Sequence, residues 1–118
     1  MTNHRTTAAD FRLFVAECRR CIKRWKIVGV RVEFGHKKID GRAEIRTGSG
    51  TATAEIYLGT EWGEETPTRD AVLDSARHEV IHLILDPLNH CMVSRYLTDD
   101  ERRAALERTV RHLQELLP

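Results

Sequence analysis

The 118-residue sequence lacks any apolar run that approaches the roughly 18 residues of a membrane span. Its first residues, MTNHRTTAADF, are polar and lack the apolar core of a secretory signal peptide. Repeats and low-complexity segments are missing as well. These absences predict a cytoplasmic protein with no membrane partner, folded as one domain over residues 1–118.

The sequence also lacks an even number of cysteines. Its three cysteines, Cys18, Cys21 and Cys91, cannot all be paired in disulfide bonds. Cys18 and Cys21 have C-x-x-C spacing, which is compatible with a second zinc site. Cys18 also belongs to an apolar helical stripe, and free cysteine is commonly buried, so a core position is favoured.

Excess charge of one sign is lacking too. The formal net charge is +1, which provides no long-range field for nucleic acid. Basic residues do cluster between Arg19 and Lys26, and we interpret them as the solvated face of a helix.

Apolar periodicity predicts the first elements of the fold. Residues 7–25 show apolar side chains three and four apart, which indicates a helix capped by Thr6 or Thr7. Alternation then predicts strands over 27–35, 41–47 and 51–59, separated by turns that include 48–50. Consecutive strands of this kind suggest an antiparallel meander, and an acidic loop follows at 60–67. The apolar stripe of the first helix consists of Phe11, Phe14, Val15, Cys18, Ile22 and Trp25.

Two helices are predicted in the second half of the chain. The first begins at Thr66 or Thr68 and ends near Asp86, because the residue before Pro87 is disfavoured in helical geometry. The second begins with a capping box from Thr98 to Glu101 and continues to about 117. The predicted fold class is therefore α+β: an N-terminal helix, a three-stranded antiparallel sheet, and two helices.

The stretch ARHEVIHLIL contains the strongest functional signal, the motif HExxH at His78, Glu79 and His82. Two histidines four residues apart on a helix can reach one zinc ion, and the glutamate beside them can act as general base. On a helical wheel the histidines lie opposite the main apolar face, and Glu79 lies beside them. That face consists of Val72, Leu73, Ala76, Val80, Leu83 and Ile84.

The other side of the same helix carries Ile81 and Leu85, which predicts a helix buried nearly all round. Buried histidines and a buried glutamate would need compensation, and a metal ion supplies it. The alternative is a chance match, because a motif with three fixed residues also occurs on ordinary surface helices.

On these residues the chain resembles a very small zincin metallopeptidase of the gluzincin type, similar to the minigluzincins and to phage-encoded HExxH proteins. The resemblance implies that the strand TATAEIYLG forms the rim of a substrate cleft. Arg77 departs from the family pattern, in which an uncharged residue usually precedes the first histidine. The metzincin continuation is excluded, since Leu85 and Leu88 occupy its glycine and histidine positions.

The gluzincin resemblance implies a third zinc ligand that is a glutamate on a later helix. Glu101, Glu107 and Glu115 are the candidates, and Glu101 already belongs to a capping box. Glu107 is preferred because it borders the apolar face of its helix. That face is predicted to consist of Ala105, Leu106, Thr109, Val110, Leu113 and Leu117.

Asp86 and His90 remain alternatives for the third ligand, and Asp86 could instead orient a histidine. The resemblance also implies that a tyrosine or histidine stabilises the oxyanion, for which Tyr96 is the candidate. His112 is interpreted as a surface residue.

The sequence thus predicts a zinc-dependent metallopeptidase that acts on a peptide or protein substrate. A zinc-stabilised binding or regulatory module without turnover is the alternative, and a structural domain without metal is a third hypothesis. The sequence specifies neither the substrate nor the oligomeric state.

Overall fold

The structure, a computed structural model, describes residues 2–48, 52–93 and 96–117. Within these residues the chain forms three helices and five strands, which confirms an α+β fold. The elements are β1 (His4–Arg5), α1 (Ala8–Arg24), β2 (Arg31–Lys37), β3 (Ala43–Thr47), β4 (Thr53–Gly59), β5 (Glu61–Gly63), α2 (Arg69–Val93) and α3 (Asp99–Leu116). The turn predicted at 48–50 falls largely on residues 49 and 50, which lie outside the described residues.

The chain groups into two compact units, Met1–Val80 and Ile81–Pro118, and the boundary between them falls inside α2. The first unit contains all the described strands, α1 and the beginning of α2. The second contains the rest of α2 and α3. No helix in the described part of the chain is long and apolar enough to cross a membrane.

The main sheet has the strand order β2-β4-β3. β3 pairs with β4 in antiparallel orientation, whereas β2 pairs with β4 in parallel. The predicted antiparallel meander is therefore wrong, because β4 inserts between β2 and β3. Alternation along a strand shows which face is buried but not which strand is the neighbour. The central position suits β4, since its inward side chains Ala54, Ile56 and Leu58 are fully buried.

A second, two-stranded sheet pairs β1 with β5 in antiparallel orientation. The predicted acidic loop at 60–67 is therefore partly wrong, because its first residues form β5. Trp62 of β5 is buried and gives this segment an apolar anchor that its acidic neighbours conceal in the sequence. Val28 also departs from prediction: it lies before β2 and is exposed.

α1 begins at a capping box. The Thr7 hydroxyl accepts a hydrogen bond from the Asp10 backbone N–H at 3.1 Å, and Asp10 accepts one from Thr7 N–H at 2.8 Å. Thr6, the alternative cap, makes a different contact, because its hydroxyl donates to the carbonyl of Gly59 at 2.7 Å. That bond ties the start of α1 to the end of β4.

α2 continues through Pro87 to Val93, so the predicted end near Asp86 is wrong. Proline removes one backbone donor and strains the turn before it, but it can kink a helix instead of ending it. α3 begins as predicted, since the Thr98 hydroxyl accepts a hydrogen bond from Glu101 N–H at 3.1 Å.

The core of the first unit forms where α1, β4 and the first turns of α2 present apolar side chains. Its largest fully buried members are Phe14, Cys18, Cys21, Ile56, Leu58, Val72 and Val80. In the second unit α3 buries a narrower stripe than predicted. Ala105 and Thr109 are buried one turn apart, but Leu106, Val110 and Leu117 are exposed.

Candidate metal site

The HExxH residues lie on the continuous helix α2, so His78 and His82 are separated by one turn, or about 6 Å of rise. Both histidines are exposed. The prediction that α2 is buried nearly all round is wrong, because Ile81 is 45% and Leu85 is 37% exposed. Desolvation therefore does not demand a metal here. Instead, the imidazoles are accessible to an ion from solvent.

Glu79 differs from the two histidines, since only 7% of it is exposed. The helical wheel predicted that Glu79 lies beside the histidines and away from the core. The second half of this prediction is wrong, because Glu79 is buried. Its position on the helix lies between the histidines and the buried row Val72–Ala76–Val80, which accounts for its low exposure. Its negative charge is close enough to Cys18 to help raise the pKa of that thiol, although burial is the larger cause.

His78 and Glu79 open onto one surface cleft of about 260 Å³, which we call the histidine cleft. Its lining comes from α2 and from the start of β3. The lining residues are Arg42, Ala43, Asp74, Ser75, His78 and Glu79. A candidate metal ligand and a candidate general base thus face the same space, and that space is large enough for a few groups of a substrate.

Arg42 forms one wall of the histidine cleft, a role that was not predicted from the sequence. Its Nη2 donates to the carbonyl of Ala71 on α2 at 2.8 Å. Its Nε lies 3.4 Å from a carboxylate oxygen of Glu65, and Nη1 lies 4.0 Å from one of Asp74. The guanidinium stacks over the ring of Trp62 at 5.0 Å. Arg42 therefore ties the start of β3 to α2, and no local sequence signal marks this contact between residues 29 positions apart.

Close backbone packing sets the position of Arg42. Gly59 N–H donates to the carbonyl of Arg42 at 2.8 Å. A Cβ atom at position 59 would lie 2.7 Å from the carbonyl oxygen of Gly41 and 3.2 Å from that of Arg42. Gly41 itself has a φ of +91°, which favours glycine. Two glycines thus allow the turn before β3 to lie directly against the end of β4.

The rim of the histidine cleft differs from the prediction. TATAEIYLG contains β4, which is the central strand and pairs along both edges. Its backbone groups are already used, so it cannot accept an added strand. β3 is an edge strand of this sheet, and its first residue, Ala43, lines the cleft.

The proposed third ligand and the proposed oxyanion residue belong to the second unit. Glu107 is exposed on α3, and Tyr96 is 90% exposed in the segment that connects α2 and α3. Glu101 is in the capping box, as predicted. Among the alternatives, Glu115 and His90 are exposed, whereas Asp86 is half-buried. His112, interpreted as a surface residue, is half-buried as well.

Across residues 2–48, 52–93 and 96–117, no group of three or more His, Cys, Asp or Glu side chains is arranged to hold a metal ion. The zinc site and its third ligand therefore stay predictions.

Cys18 is buried on α1, as predicted, and Cys21 is buried on the same helix. The Cys18 thiol lies 3.8 Å from the carbonyl of Ala76, to which it donates. Burial is the main cause that raises the pKa of each of these thiols. Both side chains are therefore protonated, apolar parts of the core near neutral pH.

Comparisons of the chain with protein-family models, with curated proteins and with solved structures find no match.

Proposed function

We propose that this protein is a zinc-dependent metallopeptidase, with His78 and His82 as zinc ligands and Glu79 as general base. The observation that carries the proposal is the shared opening of His78 and Glu79 onto the histidine cleft. Imidazole is an ordinary zinc ligand, and two of them four residues apart on a helix suit one ion. The residue types therefore fit the metal.

A zinc ion bound there would lower the pKa of a bound water and polarise a peptide carbonyl. The chain's own residues act beside it in three ways. The Glu79 carboxylate accepts the proton of the attacking water and delivers it to the leaving amine. Glu79 is mostly buried and lines the cleft, so it borders the space that a substrate would occupy. The edge of β3 offers backbone groups to an extended peptide.

A catalytic zinc site needs a third protein ligand and an open position. Glu107 is proposed as that ligand, and Tyr96 is proposed as the donor to the oxyanion. Both roles come from the resemblance to gluzincins.

The second candidate function is zinc binding without turnover, in a binding or regulatory module. The exposure of both imidazoles favours it, since a pair of accessible histidines on a helix binds zinc without a substrate cleft. Peptide cleavage separates the two functions: a zinc-loaded protein that cleaves no member of a mixture of unstructured peptides supports the second candidate.

Zinc stoichiometry tests the metal assignment. The full chain, purified without chelator and dialysed against limiting zinc, is expected to hold about one equivalent. His78→Ala and His82→Ala should each weaken zinc binding by at least roughly tenfold. His4→Ala is the matched control, because His4 lies in β1 outside the motif, and it should bind zinc as the wild type does. Equal zinc binding by all four proteins would contradict the proposal.

A further inference from the structure

A second cleft, of about 360 Å³, lies between α1 and the beginning of α2, within the first unit. Arg20 of α1 and Arg69 and Arg77 of α2 line it together with Glu17, and we call it the arginine cleft. It shares no lining residue with the histidine cleft. Arg69 and Arg77 lie two turns apart on α2, so they project from the same side of the helix.

Glu17 organises two of these arginines. It is only 6% exposed, and it accepts hydrogen bonds from Arg20 Nε at 2.5 Å and Arg20 Nη2 at 3.1 Å. It also accepts one from Arg77 Nε at 2.8 Å. The hydrogen bond from Arg20 is the largest of the causes that lower the pKa of Glu17, while burial acts in the opposite direction. The carboxylate therefore stays charged and holds both guanidinium groups in place.

The guanidinium groups keep unused donors. Arginine has five N–H donors, and Glu17 takes a single one from Arg77 through Nε. Among the described residues, both Nη groups of Arg77 are then left to donate to a ligand. Within the part of the chain that the structure describes, Arg69 forms no ion pair. Arg69 is also the first residue of α2, where the helix dipole adds partial positive charge.

The charge of the arginine cleft fits a dianion. Three guanidinium groups and one carboxylate line it, so two positive charges are unbalanced. A phosphate monoester carries a charge of about −1.5 to −2 near neutral pH, and the planar fork of arginine matches its oxygens. A merely solvated basic face would need no buried carboxylate, and one arginine would be enough to neutralise Glu17.

Apolar side chains complete the lining. Leu13 and Ala16 of α1 and Leu73 of α2 border the same space as the arginines. We propose that the arginine cleft binds a small organic phosphate monoester: Arg20, Arg69 and Arg77 hold the phosphate, and these three apolar residues contact the organic group. The site is independent of the zinc hypothesis, since the two clefts share no lining residue.

Titration of the full chain with phenyl phosphate at low ionic strength tests the site. Calorimetry is expected to show saturable binding with one site, weakened at least roughly tenfold in about 0.3 M salt, since charge pairing dominates. Inorganic phosphate should bind at least about threefold more weakly than phenyl phosphate, because it lacks the group that meets Leu13 and Leu73. Equal affinities would overturn the assignment of the apolar lining.

Arginine variants locate the binding. Arg69→Gln and Arg77→Gln should each weaken phenyl phosphate binding at least about fivefold, whereas Arg31→Gln should change it less than about twofold. Arg31 is the matched control because it is an exposed arginine at the start of β2, outside the cleft. Arg69→Gln removes no described ion pair, so it should fold normally, which thermal melting checks. Binding that Arg69→Gln leaves unaltered, or no binding by the wild type, would overturn the proposal.

Discussion

Glu17 and Glu79 are two buried glutamates of the first unit that line different clefts. Their exposures are nearly equal, at 6% and 7%, and the negative charge of each helps raise the pKa of Cys18. Glu17 is held by two arginines, which use its oxygens as hydrogen-bond acceptors. Glu79 instead opens onto a cleft beside His78. Burial alone thus does not distinguish a structural carboxylate from a candidate catalytic one, whereas the cleft that each of them lines does.

Activity is expected to separate the two glutamates most strongly. Glu79→Gln should reduce kcat for peptide cleavage by about 10²–10⁴-fold, because an amide cannot accept the proton of the attacking water. Glu17→Gln should leave kcat within about threefold, since Glu17 lines the other cleft. A peptide-cleavage assay on both zinc-loaded variants measures this. If cleavage survives Glu79→Gln unaltered, the proposed role of Glu79 is wrong.

The free energy of unfolding should depend more on Glu17 than on Glu79. Glu17→Gln is expected to lower the free energy of unfolding by about 1–2 kcal/mol, because Arg20 and Arg77 lose a charged acceptor. Both arginines are about half exposed, which keeps the loss below that of a fully buried pair. Urea unfolding provides the measurement. Glu33→Gln is the control, as a surface glutamate paired with Arg31, and should change stability by less than about 0.5 kcal/mol.

The smallest expected effect is in the pH dependence of stability. The folded-state pKa of Glu17 is lowered from its ordinary value of 4.5, so its stabilising contribution is complete above that value. As pH falls through the folded-state pKa, Glu17 takes up a proton and the contribution is lost. The stability difference between wild type and Glu17→Gln should therefore shrink below pH 4.5. A difference that stays constant across this range would show that the pairing with the arginines is not electrostatic.

Local signals predicted the helix starts well and the strand partners poorly. The capping boxes at Thr7 and Thr98 each lie within four residues, so the sequence alone indicates them. The parallel pairing of β2 with β4 joins residues more than 20 positions apart, and alternation carries no information about it. The helix end predicted at Pro87 was wrong because the residue before a proline is only biased away from helical geometry, and α2 continues through it.

The candidate site shows the same limit. His78, Glu79 and His82 were proposed from the motif alone, since their spacing is local. The helical wheel erred on Glu79, because it gives direction around the helix but not how far the core extends. Arg42 and Glu17 act through contacts with α2 that are 29 and 60 positions away in the chain. No pattern within a single helix or strand encodes such contacts.

The contact between Gly59 and the turn at Gly41 has a consequence for mutational tolerance. Position 59 lies outside the lining of the histidine cleft, yet a single added methyl group there would press on the backbone that places Arg42. Only outward movement of the turn before β3 could relieve that overlap, and it would carry Arg42 away from Ala71 and Trp62. The shape of the histidine cleft therefore depends on a residue that does not line it.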